Sequence, residues 1–169
     1  TRADMARRVR GNDLTGGSGT ASKTPSVTGG VCGKAQDFDG SDDHILRAAG
    51  ASLLPATDLT VSAWVYLETL PTAGSENDHA ITVHMTADPW QAYSLYFLGN
   101  DHNRIRCSRA GSTKSTQTST ATDTAITGEW MYLTMRRSSS GSQYLKLFKN
   151  ETNIDAATET TSGDLNTAN

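Results

Sequence analysis

No run of apolar residues in this 169-residue chain approaches the roughly 20 that a helix needs to cross a bilayer, so membrane insertion is not expected. The first ten residues are polar and basic and contain no apolar core of a leader peptide. Cysteine is scarce: Cys32 and Cys107 stand far apart, outside any C-x-x-C or Cys/His spacing, which argues against a zinc site. They could pair only if the fold brings their Cα atoms within about 7 Å; two isolated buried thiols are expected, and a count of 2 fixes no redox compartment. Charge of one sign is also missing. The net charge is -3 with charged residues at 20%, so neither a polyelectrolyte nor a nucleic-acid binder is indicated. The cluster Arg2, Arg7, Arg8 and Arg10 is expected to be a solvated face. What remains is length enough for one domain with a sizeable core, spanning residues 1–169.

Glycine, serine and threonine are spread throughout, and the apolar pattern repeats every two residues, not every 3.6. The clearest case is Asp58 to Glu68. Leu59, Val61, Ala63, Val65 and Leu67 share one side; Thr60, Ser62, Trp64 and Tyr66 share the other. Further strands are predicted at Lys34 to Asp39, Asp43 to Arg47, His79 to Met85, Ala92 to Leu98, Arg104 to Arg109, Glu129 to Arg136 and Gln143 to Lys149. The Thr- and Ser-rich stretch Gly111 to Thr124 suits a solvent-facing edge strand. Turn chemistry separates these segments at Asp39-Gly40, Pro71 to Gly74, Asp88-Pro89, Gly99-Asn100, Thr127-Gly128 and Ser138 to Gly141. Connections this short favour antiparallel meanders over units that need helical crossovers. The expected fold is all-β, an antiparallel two-sheet jelly-roll sandwich.

Three stretches, in this order, resemble the laminin-G-like (concanavalin-A-like) jelly rolls of bacterial, phage and metagenomic proteins. They are Gly33-Lys34-Ala35-Gln36-Asp37-Phe38-Asp39-Gly40-Ser41-Asp42-Asp43-His44, then Leu59-Thr60-Val61-Ser62-Ala63-Trp64-Val65, then Thr127-Gly128-Glu129-Trp130-Met131-Tyr132-Leu133. Thr1-Arg2-Ala3-Asp4 with Gly11-Asn12-Asp13-Leu14-Thr15 is similar to an opening common in phage and environmental members. One departure lies at Phe148-Lys149-Asn150-Glu151, where the family often carries an Asn-Gly hairpin turn; a type I′ turn is less secure there. The resemblance also implies terminal strands that this sequence does not contain. The chain is therefore expected to be part of a longer protein, with sheet edges open to pairing.

The sequence offers little for catalysis. Asp37 and Asp39 share a strand face, but Asp39 precedes a Gly turn, and the E-x-D-x-x-E run of related glycanases is absent. His44, His79, His84 and His102 fall in separate segments, and there is no Gly-x-Ser-x-Gly elbow. No enzyme is expected. Asp37, Asp39, Asp42 and Asp43 form an oxygen-rich group, and the resemblance implies that Ca2+ is a candidate ion there. Sugar recognition uses flat rings against pyranose faces together with fixed polar groups. On that logic Trp90, after Asp88-Pro89, is the leading ligand contact, with Tyr93, Tyr96 and Asn100 downstream. Trp64, Trp130 and Tyr132 are expected to fill the sandwich or its flank. The expected function is non-catalytic recognition or adhesion, by binding a glycan or another surface ligand, in a secreted, cell-surface or virion protein. The alternative is a structural or decoration component of a phage particle, packed against neighbouring protein subunits.

Overall fold

The computed structural model describes residues 15–16, 26–39, 43–46, 58–72, 78–85, 91–99, 104–110, 116–121, 125–138 and 145–157. The basic cluster at Arg2, Arg7, Arg8 and Arg10 lies outside these residues, as do Asp42, Trp90, Asn100 and His102. Every described element is a strand, in the order β1 Thr15–Gly16, β2 Ser26–Gly30, β3 Gly33–Asp37, β4 Ile45–Leu46, β5 Leu59–Tyr66, β6 His79–Met85, β7 Gln91–Phe97, β8 Ile105–Ala110, β9 Thr116–Ala121, β10 Trp130–Arg137, β11 Leu145–Lys149 and β12 Thr152–Ala157. The chain forms two compact units, Thr1–Ala49 and Gly50–Asn169.

In the first unit β2 and β3 make an antiparallel hairpin closed by the pair Gly30 and Gly33, leaving Val31 and Cys32 as a two-residue loop. Gly33 opens the first family-like stretch and has φ +99, a left-handed backbone that any side chain would strain. β1 pairs with β4 in a short separate ladder. Cys32 is exposed in the hairpin loop, contrary to the expectation that both thiols are buried; a two-residue loop has no interior to hide it. Cys107 is buried as expected, and the two cysteines do not form a disulfide.

The second unit is the expected antiparallel sandwich. One sheet has the strand order β12-β11-β10-β5 and the other β6-β7-β8-β9. Side-chain alternation builds the core between them. β10 sends in Met131, Leu133 and Met135, β11 sends Leu145 and Leu147, β7 sends Tyr93, Leu95 and Phe97, and β8 sends Ile105 and Cys107. Leu59, Val61 and Val65 of β5 pack against this cluster from the same sheet as β10. The alternation read from Asp58 to Glu68 thus holds residue by residue. Gly128 has φ +80, and its N–H donates to the Leu67 carbonyl at 3.0 Å, tying the end of β5 to the start of β10.

The threonine-rich stretch does form a strand, but β9 is confined to Thr116–Ala121 and stands outermost in its sheet order; 111–115 and 122–124 lie outside the described residues. β1, β2 and β12 were not foreseen from the pattern. After Lys149 the turn expected to be insecure is a tight two-residue loop. Asn150 and Glu151 both have positive φ, 49 and 68, the requirement of type I′, and Lys149 pairs directly with Thr152.

Candidate functional site

Of the four residues singled out for ligand binding, Trp90 and Asn100 lie outside the described residues, and Tyr93 and Tyr96 face opposite sides of β7. Tyr93 is buried in the core, with its phenol held above the ordinary tyrosine range by that burial. Tyr96 lies on the opposite side of β7, half-buried, with the Arg106 guanidinium 5.9 Å from its ring centre. Arg106 Nη1 also donates to the Tyr96 hydroxyl at 3.4 Å. Beside this pair Ser94 and Ser108 are both buried, and their hydroxyl oxygens stand 2.6 Å apart. The β7–β8 hairpin is braced at its base by Leu98 N–H donating to the Arg104 carbonyl and Gly99 N–H donating to Asp78 Oδ1. Of the four ligand candidates, only Tyr96 is both described and near the surface.

The acidic candidates divide similarly. Asp37 ends β3 and is exposed, as is Asp39. Asp43 Oδ2 accepts the Asp39 N–H at 3.1 Å, a turn contact that occupies one carboxylate oxygen. Among the described residues no three His, Cys, Asp or Glu side chains are gathered closely enough to hold a metal ion. Asp42, the fourth member of the group, lies outside the described residues.

A surface with recognition chemistry emerges elsewhere, on the outer face of β5 and β10. Register places Tyr66 opposite Trp130 and Trp64 opposite Tyr132. Because Val65 and Met131 point inward, all four rings point outward. Trp64 is 48% exposed and Tyr66 44%, values that leave about half of each ring to solvent. Trp64 and Tyr132 lie 5.1 Å apart between centroids and Tyr66 and Trp130 5.5 Å, both tilted. Each is within the favourable range for ring pairs.

Polar groups fix this platform. The Tyr132 hydroxyl donates to Ser62 Oγ at 3.0 Å, and Tyr132 N–H donates to Asn150 Oδ1 at 2.9 Å. Asn150 N–H returns a bond to the Tyr132 carbonyl at 2.8 Å, so the hairpin turn clamps the strand that carries two of the rings. Beyond the rings the same face continues as Ser62 opposite Thr134 and Thr60 opposite Arg136. On the inward side Lys149 is held below the ordinary lysine range by desolvation, which nearby Glu129 partly offsets.

Sequence reading assigned Trp64, Trp130 and Tyr132 to the sandwich or its flank; they lie on the flank, facing out, and none enters the interior. Tyr66, outside the expected contacts, joins these three on this face. The signal was present: alternation had already set Trp64 and Tyr66 opposite the aliphatic side, and the same parity applies to Trp130 and Tyr132 against Met131 and Leu133.

Residues 11–169 match a laminin-G-type family model described as the Concanavalin A-like lectin/glucanases superfamily. No curated protein matches the chain.

Proposed function

The chain belongs to the concanavalin A-like lectin/glucanases superfamily, and from that premise we propose that it is a non-catalytic recognition module that binds glycan. The observation that carries this reading is the outward quartet Trp64, Tyr66, Trp130 and Tyr132. Soluble domains rarely leave adjacent aromatic rings half-open to water without a partner, and ring faces match the apolar faces of pyranoses. The protein acts outside the cell, on a cell surface or on a virion. The sequence without an E-x-D-x-x-E run supports binding over glycan cleavage. Calcium enters only as an accessory ion whose site would need Asp42 and backbone carbonyls in addition to Asp37, Asp39 and Asp43. Melting raised by calcium and reversed by a chelator would assign it; unchanged melting would remove it.

A glycan array probed with the parent chain and with Trp64→Ala, Trp130→Ala and Trp90→Ala tests the proposal. Signal lost in the first two supports it. Signal lost only in Trp90→Ala moves the ligand to the loop after Asp88-Pro89. No glycan signal, together with stable assembly into particles, favours the alternative of a decoration subunit contacting its neighbours.

A further inference from the structure

The aromatic face does not end in neutral polar residues. Four cross-strand rows follow one another on the outer side of β5 and β10: Tyr66 with Trp130, Trp64 with Tyr132, Ser62 with Thr134, and Thr60 with Arg136. Arg136 is exposed, and directly opposite it on β11 stands the half-buried Lys146. Lys146 lies between inward-facing Leu145 and Leu147, so it shares the outer side with Arg136. Like charges directly opposite across a ladder are destabilising. Among the described residues, those directly opposite the pair or two along on this side are Thr60, Thr134, Ser138, Phe148 and Ala156, all uncharged, and Asp58 stands one diagonal step from Arg136 just before β5. Two cations therefore stand side by side at the far end of a stacking platform, and an anion bound between them would relieve their repulsion.

We propose that this face selects an acidic polysaccharide, one bearing carboxylate or sulfate groups along its chain, with sugar rings on the aromatic rows and an acid group on Arg136 and Lys146. The inference rests on the glycan reading above and names its ligand class. Rows two residues apart repeat at about 7 Å, so the four rows run about 20 Å, a track for several linked sugars instead of one. A guanidinium binds a carboxylate or sulfate through two parallel N–H donors, whereas an ammonium adds a compact point charge. Charge complementarity therefore fixes the polymer's sign, and the rings fix its sugar character. A single-stranded nucleic acid would also stack on rings, but it needs a backbone-long cationic groove. Here two cations sit at one end of the face, in a chain of net charge -3.

Calorimetric titration of the full chain with polygalacturonate, with the same polymer after reduction of its carboxyl groups, and with a single-stranded DNA oligonucleotide tests this. The acidic polymer is expected to bind about tenfold more tightly than its neutral counterpart, with affinity falling as salt rises, as for two exposed ion pairs. The double variant Arg136→Gln/Lys146→Gln is expected to lose that advantage, its affinities for the acidic and the neutral polymer becoming equal. The double variant Trp64→Ala/Trp130→Ala is expected to lose both polymers. Equal affinity for the acidic and neutral polymers, or full acidic binding by the charge variant, overturns the acidic selection and leaves the glycan reading standing. No binding of either polymer overturns both. Preference for the oligonucleotide overturns the ligand class.

Discussion

Asn150 and Glu151 turn the chain between β11 and β12 with φ 49 and 68, and only the first has a residue type suited to that region. Asn150 also exchanges bonds with Tyr132, so it closes the loop and holds the aromatic strand. Glu151 pays for a conformation that glycine adopts freely. Glu151→Gly is expected to stabilise the fold by about 0.5–1 kcal/mol in chemical denaturation; a loss of stability would mean that its side chain compensates the backbone. Tyr93 gives a prediction in pH. Burial favours its neutral phenol, so the folded value stands above the ordinary one of about 10. Its contribution is whole below pH about 10 and is lost as pH rises through the raised folded value. Tyr93→Phe should move the alkaline unfolding midpoint upward, and an unmoved midpoint would show that another group sets it.

Strands β7 and β8 carry a buried polar pair on the side opposite Leu95 and Cys107. Ser94 and Ser108 satisfy each other at 2.6 Å, so removing one hydroxyl orphans its partner. Ser108→Ala is expected to cost about 1–3 kcal/mol, and adding Ser94→Ala should cost less than the sum of the single changes. Additive losses would mean that the two hydroxyls do not depend on each other. Elements differ in how plainly the sequence announces them. β5, β10 and β11 alternate large aliphatic residues with others, so their existence and inner face are legible. β12 offers Ile154 as the half-buried anchor that packs against the core, set between the polar residues Asn153 and Asp155. β2 ends in two glycines, which weaken any strand pattern. Tyr93 shows the limit for sites. Proximity to Trp90 in sequence suggested a shared surface, but parity along β7 sends Tyr93 inward with Leu95 and Phe97, and Tyr96 outward.

At the scale of the sandwich one sequence pattern links the core to the proposed binding face. Period-two alternation sorts β5 and β10 into an aliphatic side that closes the sandwich and an aromatic side left to solvent. On the proposed reading recognition costs the fold little, because rings on the outer face can change without opening the core. The family to which the chain belongs places lectins and glucanases on one architecture, and function is decided by which side chains a surface presents, not by the architecture itself. The most direct measurement is the paired unfolding free energy of Leu133→Ala and Trp64→Ala, with polysaccharide binding read on the same samples. Leu133 is fully buried, and its loss should cost about 2–5 kcal/mol. Trp64, half-open and resting on Tyr132, should cost about 1 kcal/mol while binding disappears. A Trp64→Ala protein as unstable as Leu133→Ala, or one that binds as the parent does, would contradict the account.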